Sequence, residues 1–325
     1  MRYCLFSSKD WLIQSYGLRP DLADPISADK LPRVLHSGLT NWARALGGVY
    51  SMPVSFEALA KYDVVHVNVP PSGVKTLFKL RRLIDAMDAE IRPLLVANPD
   101  QAIEMWESFS RFDLFLDSLR CADRIFCVHP VMSATLGALL DREVWTIPHP
   151  TDVTTLREVY GATEKYPDPM VLVMAHSYDQ NYLIVTEALR ALKRDIPALK
   201  CVLIGRMQKD PITVGSFYDE MFEALPFDQV MHLVAMSTCV IDTAFTHSYG
   251  RIGVECAALN VPCIGDVNVE SVLKLHRYPI DIYNANQIMD AVKACCTGGG
   301  AVMSPDAYDY EHSADAFKEM CYGQA

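Results

Sequence analysis

The chain has 325 residues, 50% hydrophobic and 21% charged, with a formal net charge of −11. This is a globular composition that excludes wholesale disorder, and the acidic total argues against a broad nucleic-acid surface, because such binding scales with the phosphates that Lys and Arg neutralise; a local basic groove remains open. No apolar run reaches the roughly 18 residues of a membrane span, and the start, Met1-Arg-Tyr-Cys-Leu-Phe-Ser-Ser-Lys-Asp10, lacks a signal peptide's apolar segment, so a cytoplasmic protein is expected.

The length predicts two domains of roughly 150 residues each. Along the chain, apolar strands alternate with helical stretches. Strands are predicted at Tyr3 to Phe6, Asp63 to Val67, Pro93 to Val96, Arg124 to Val128 and Val144 to Ile147, with helical periodicity over Val74 to Ala89 and Ala102 to Leu119. A polar, proline-bearing segment then runs from Pro148 through Tyr166-Pro-Asp-Pro169. Alternation resumes with strands at Met170 to Ala175, Lys200 to Ile204, Thr238 to Asp242, Pro262 to Ile264 and Ile280 to Ile282, a helix from Tyr182 to Arg194, and a final amphipathic helix carrying Ala314, Phe317 and Cys321. Alternation on this scale predicts two α/β, Rossmann-like halves with parallel sheets, joined near residues 150–168, and ligands at the carboxyl ends of the strands.

The ten cysteines are scattered, several inside apolar runs such as Cys127, Cys201 and Cys239. Neither close pair, Cys121 with Cys127 or Cys295 with Cys296, has zinc-site spacing, so buried reduced thiols are expected and no metal site.

The stretch His247-Ser-Tyr-Gly-Arg-Ile-Gly-Val-Glu255 carries the most chemistry. It reads as a turn containing Ser248, Tyr249 and Gly250, followed by a helix that starts near Arg251. A glycine turn opening a helix presents unpaired N–H groups at the positive end of the dipole, which suits a phosphate. A cation in that first turn is unfavourable unless an anion is present, so Arg251 reads as an anion ligand. Glu255, one turn inside, is placed to accept hydrogen bonds from a ribose. The same pattern also describes an ordinary strand–loop–helix–strand unit with a solvated Glu.

At this point the chain resembles the GT-B glycosyltransferases, and among them the retaining nucleotide-sugar group, family 4. Ala60-Lys-Tyr-Asp-Val-Val-His-Val67 is similar to that group's "YDVVHVH", Ala122-Asp-Arg-Ile-Phe-Cys-Val128 to "ADRIIAVS", Trp145-Thr-Ile-Pro-His-Pro-Thr-Asp152 to the interdomain "VIPNGVD", and Lys200-Cys-Val-Leu-Ile-Gly205 to "VKLVIVG". Residues 247–255 sit where the family has Glu-x7-Glu, and the last helix follows its terminal pattern. The resemblance implies an acceptor-binding domain over 1–150, a nucleotide-sugar domain over 151–307 and a C-terminal helix, 308–325, packing back on the first. It further implies a reaction in the cleft between the domains, with a nucleoside diphosphate sugar as co-substrate, no other cofactor, no metal, and retention of anomeric configuration. Ser248, Tyr249, Gly250, Arg251 and Glu255 would hold the donor, although Tyr249 fits a purely packing role equally well.

The departures from the family pattern define further candidates. The Arg and Lys that follow the first strand of the nucleotide domain are replaced by Val173-Met-Ala-His176-Ser-Tyr-Asp-Gln180-Asn181, so His176, Asn181 and, just after the next strand, Arg206 are the remaining donor-side candidates, Arg206 fitting a surface cation as well. His247 stands where the family has its first Glu, the one that faces the donor sugar, which implies a different or anionic sugar, or lost turnover. On the acceptor side Ser7, Ser8 and Lys9 replace a glycine-rich loop. Asn98 and Asp100 occupy the place of the family's catalytic His, and of His66 and Asn68 at the end of the second readable strand, Asn68 is the candidate acceptor contact, since His66 lies within the apolar run; Asp100 also fits a helix N-cap. Lys75, Lys79, Arg81 and Arg82 form a basic helix face that suits anionic headgroups or nucleic-acid phosphates, or a solvated face paired with Asp85 and Asp88.

Three readings follow: a metal-independent retaining glycosyltransferase acting on a glycan, lipid or small-molecule hydroxyl; a phage-type enzyme acting on a hydroxymethylated DNA base; and a non-catalytic GT-B scaffold.

Overall fold

The computed structural model describes residues 1–6, 25–27, 38–69, 74–99, 101–108, 111–175, 182–205, 216–223 and 225–323. The chain divides into two compact units, Met1–Pro150 with Tyr310–Ala325, and Thr151–Asp309.

The first unit is built on a seven-stranded sheet. Its strands are β1 (Tyr3–Phe6), β2 (Ile26–Ser27), β3 (Val49–Ser51), β4 (Val64–Asn68), β5 (Leu94–Asn98), β6 (Arg124–Cys127) and β7 (Trp145–Thr146), in the order β2-β3-β1-β4-β5-β6-β7. Only β2 runs antiparallel, against β3. Central strands of a parallel sheet are covered on both faces, which is why β4 and β5 read as continuous apolar runs. Alternate residues serve opposite cores. Val65, Val67, Leu95 and Ala97 meet Leu77, Leu80 and Ile84 of α3 (Val74–Asp85) and Phe115 and Leu119 of α4 (Phe112–Arg120). Val64, Val96 and Phe126 meet Trp42 of α1 (Gly38–Ala45) and Phe317 of the last helix, Tyr310–Tyr322. The short α2 (Phe56–Leu59) is capped by Ser55, whose hydroxyl accepts from Ala58 N–H. In α5 (Pro130–Leu140) the cap is the His129 ring, with Pro130 at the first position, where no N–H is needed.

The helical periodicity over Ala102 to Leu119 resolves into two pieces. A 3₁₀ turn occupies Ile103–Ser108 and α4 begins only at Phe112. Trp106 stacks on Phe112 at 6.2 Å between ring centroids and donates its indole N–H to Gln101 O, so aromatic packing, not a continuous helix, produces the spacing.

The second unit has a six-stranded, wholly parallel sheet: β8 (Met170–Ala175), β9 (Lys200–Gly205), β10 (Glu220–Phe222), β11 (Cys239–Asp242), β12 (Cys263–Asp266) and β13 (Pro279–Ile280), ordered β10-β9-β8-β11-β12-β13. Its helices are α6 (Val153–Tyr160), α7 (Tyr182–Asp195), α8 (Phe227–Met236), α9 (Arg251–Ala258), α10 (Glu270–Leu275) and α11 (Ala285–Cys296). The last helix of the chain, in the first unit, is α12. Helix α6 lies inside the segment read as a polar connection: Asp152 caps it by accepting from Thr155 N–H, and Val153 and Leu156 bury its apolar side. Numbered by appearance the strand order is 3-2-1-4-5-6, the doubly wound arrangement whose direction of winding reverses between the first and fourth strands. Here those strands are β8 and β11, and their carboxyl ends mark the place for a ligand.

All ten cysteines are free, and all but Cys121 and Cys296 are buried. Among the described residues no helix is long and apolar enough to cross a membrane.

Candidate functional site

The segment after β11, residues 243–250, lies at that switch point and leads into α9. It is held on both sides by backbone. Glu270 N–H donates to Ser248 O at 3.0 Å and Ser271 N–H to Tyr249 O at 3.2 Å, while Ser248 and Val269 form a parallel bridge. At its base the Thr243 hydroxyl donates to Met174 O of β8 at 3.0 Å, and Asp242 accepts from Ala244 N–H. Gly250 is the N-cap of α9 and is left-handed, with φ 69° and ψ 60°. A Cβ there would lie 2.1 Å from Val269 Cγ1, so only glycine permits this approach. No side chain caps the helix at Gly250. Its first N–H groups therefore keep the anion-binding capacity of a helix start.

Arg251 and Glu255 face each other across one turn of α9, Nε 3.1 Å from Oε1. The Glu255 residue is only 4% exposed. Burial pushes its carboxyl up to about 7, and the Arg251 charge opposes that rise. A carboxylate so placed accepts hydrogen bonds strongly from any hydroxyl brought to it.

Tyr249 points inward. Its ring lies 5.8 Å from that of Tyr308 and its hydroxyl 3.4 Å from Thr151 Oγ1, all three residues buried, and burial raises its phenol well above the ordinary value. Its side chain thus fastens the loop to the two segments that begin and end the second unit, which also pair directly through Thr151 N–H and Tyr308 O at 2.8 Å. Ser248 and His247 are half-buried in the same loop.

Two supporting residues carry no motif and were not singled out from sequence. The His276 ring accepts from Cys263 N–H at Nδ1, 3.0 Å, and so donates from Nε2 to Gly253 O at 2.8 Å, tying α9 to β12. Burial lowers its pKa to about 4, which keeps it neutral in that bridging form. The Ser271 hydroxyl donates to Gly250 O. A polar residue in an otherwise apolar stretch is the one sequence signal either gives.

In the first unit Asn68 and Asn98 end β4 and β5 as register partners. Asn68 is half-buried. Asn98 is fully buried, and its amide donates to Phe126 O at 3.2 Å while Oδ1 has no hydrogen-bond partner. His66, inside β4, is fully buried too; Tyr3 Oη lies 2.5 Å from its Nδ1, and burial lowers its pKa to about 3. On α3, Arg81 pairs with Asp85 at 2.9 Å and with Asp123 at 2.8 Å, and so belongs to the packing; Lys75, Lys79 and Arg82 are exposed. Ser7, Ser8, Lys9, Asp100, His176, Asn181 and Arg206 lie outside the described residues.

No protein-family model matches the chain, and no curated protein matches it in sequence. Solved structures do match in fold. An alpha-glucosyltransferase in complex with UDP-glucose and DNA containing an abasic site superposes with a TM-score of 0.58 at 11% identity, over 99% of this chain and 95% of that one. The chain has the GT-B glycosyltransferase fold. Two further GT-B structures agree: a UDP-forming trehalose-phosphate synthase from Burkholderia xenovorans, TM-score 0.58 at 11% identity over 81% and 71% of the two chains, and HepE from Anabaena in complex with UDP and glucose, 0.54 at 14% over 83% and 80%. In GT-B terms the 243–255 segment lies in the second Rossmann-like unit.

Proposed function

We propose that this chain is a cytoplasmic glycosyltransferase that takes a sugar from a nucleoside diphosphate sugar bound on the 151–309 unit, without a metal ion and with retention of anomeric configuration. The observation that carries the reading is the 248–255 segment. A left-handed glycine opens a helix with no side-chain cap, a cation stands in its first turn, and a buried carboxylate follows one turn later. The helix start and Arg251 take the diphosphate, Glu255 takes the ribose hydroxyls, and His247 faces the sugar. Structures of this fold in complex with UDP-glucose or UDP support UDP as the first base to test. His176, Asn181 and Arg206 are further donor-side groups. Ser7, Ser8, Lys9, Asn68, Asn98 and Asp100 are proposed for the acceptor.

A second reading of the acceptor, a hydroxymethylated base in DNA, is favoured by one observation. The alpha-glucosyltransferase structure that covers 99% of this chain was solved with DNA. In that case Lys75, Lys79 and Arg82 would meet phosphates.

A thermal-shift screen against UDP, GDP, ADP, CDP and dTDP, with and without Mg²⁺, tests the donor site. A ligand at about 100 times its Kd adds about 2.7 kcal/mol of apparent stability. The expected result is a metal-independent shift with one nucleotide, abolished in Glu255→Ala. No shift with any of them transfers the weight to a non-catalytic scaffold.

A further inference from the structure

Three features of the Arg251–Glu255 pair mark it as one that a ligand displaces. The first is its orientation. With the cation in the first turn of α9 and the anion four residues later, both charges stand in the order that opposes the helix dipole. The second is alignment: Nε is within ion-pair distance of Oε1, yet it is buried and has no hydrogen-bond partner, so the contact is Coulombic and lacks the directed bond that guanidinium–carboxylate pairs usually add. The third is the shell around Glu255. The residue is almost fully buried, and among the described residues no N–H or hydroxyl donates to its carboxylate; Arg251 is the one charge that holds it down. A buried anion served by a single misaligned cation is poorly solvated.

We propose that the Arg251–Glu255 pair is a latch over the donor site, opened by the diphosphate, so that the two halves of the donor bind cooperatively. The proposal rests on the reading of this segment as a nucleoside diphosphate site. A diphosphate at the start of α9 draws the guanidinium away from Glu255. The carboxylate, relieved of its cation, is then satisfied by the ribose hydroxyls of the same ligand. Either half alone leaves one member of the pair unsatisfied. A nucleoside must compete with Arg251 for the carboxylate, and an isolated diphosphate strands a buried anion. Bound together they remove each other's penalty, and by linkage each tightens the other by the same factor. The site therefore discriminates against free nucleosides and free pyrophosphate, although it contacts both parts of the donor.

The experiment is calorimetric titration of the whole chain with UDP, with pyrophosphate, and with 5′-deoxyuridine, which leaves room for the pyrophosphate oxygen. 5′-Deoxyuridine is titrated with and without saturating pyrophosphate. If another nucleoside diphosphate binds in place of UDP, its 5′-deoxynucleoside is used. The expected result is that pyrophosphate tightens 5′-deoxyuridine at least tenfold in the wild type and not in Arg251→Ala or Glu255→Gln. Glu255→Gln should also bind pyrophosphate more tightly than the wild type, because nothing then holds Arg251 back. Circular dichroism establishes that each variant is folded, and Arg251→Lys, which keeps the charge, should retain part of the coupling even if the alanine variant unfolds. A wild type that binds UDP but shows independent fragments overturns the latch and leaves the donor site standing, as does a Glu255→Gln variant with unchanged pyrophosphate affinity. A wild type that binds no nucleoside diphosphate overturns the donor site, and the latch with it.

Discussion

Gly250 approaches Val269 so closely that a Cβ built on it would fall 2.1 Å from Val269 Cγ1, and 2.7 Å from the Ser271 hydroxyl that bonds its own carbonyl. Its φ of 69° is strained for any other residue. Gly250→Ala is therefore expected to destabilise the chain by about 2–4 kcal/mol through strain and overpacking together. Gly47 supplies the control: it has a similar φ of 61° with nothing within 4 Å, so Gly47→Ala should lose only about 1 kcal/mol. Urea unfolding of both variants separates the two contributions, and equal losses would mean that the Val269 contact does not constrain the loop.

Glu255 makes stability depend on pH with a definite sign. Its carboxyl titrates at about 7 in the fold against an ordinary value of 4.5, because burial disfavours the charge. Between those values the folded chain holds a proton that the unfolded chain has released, so this group's contribution improves as pH falls from 7 to 4.5 and is lost above 7. The difference is on the order of 3 kcal/mol. Glu255→Gln should then be the more stable protein at pH 8 and have nearly the wild-type stability at pH 5. Chemical unfolding at the two pH values tests this, and a variant less stable at pH 8 would refute it.

His66 acts in the opposite direction. Burial lowers its pKa from 6.5 to about 3, with the nearby His149 adding to the shift. The neutral ring is the folded form, so stability is full above pH 6.5 and declines as pH falls toward 3, because the unfolded chain takes up the proton first. His66→Phe keeps an aromatic ring among Trp42, Phe126 and Phe317 but leaves the Tyr3 hydroxyl without its partner. The expected loss is about 1–3 kcal/mol at pH 8, together with a shallower decline from pH 6.5 to 4. A decline as steep as the wild type's would assign the acid sensitivity to other groups.

The four cations of α3 separate by partner. Arg81→Ala removes pairs to Asp85 and Asp123, and Asp123 in turn accepts from Leu95 N–H at the start of β5. It should lose about 1–2 kcal/mol, more than an isolated surface pair. Joint replacement of Lys75, Lys79 and Arg82 by Ala should leave stability within about 0.5 kcal/mol and, if the helix meets phosphates, reduce the salt dependence of DNA binding. A triple variant with wild-type DNA affinity and salt dependence would exclude that face as a contact.

The sequence by itself determined the class of the fold. Parallel strands covered on both faces must be apolar throughout, so β4, β5, β8, β9 and β11 were legible as runs, and the Tyr249-Gly250 turn, the start of α9 and the strand after it followed from spacing alone. The short strands β2, β3 and β10 were not legible, because two or three residues carry no period and these exist through their neighbours in the sheet; the equally short β7 and β13 showed only because they lie within longer apolar runs. Helix α6 was hidden in a polar stretch by its own capping chemistry, and Trp106 with Phe112 imitated one helix across two segments.

At the candidate site the chain singled out Gly250, Arg251 and Glu255 by residue type and spacing, a pattern that also fits an ordinary strand–loop–helix unit with a solvated Glu. Only the tertiary structure decided that Glu255 is buried with Arg251 as its counter-charge, that Tyr249 turns inward onto Thr151 and Tyr308, and that His276 ties α9 to β12. Burial and the identity of a partner are properties of packing between segments distant in the chain. A local pattern of residue types sets which chemistry is available, and the fold sets its protonation, its orientation and what it touches.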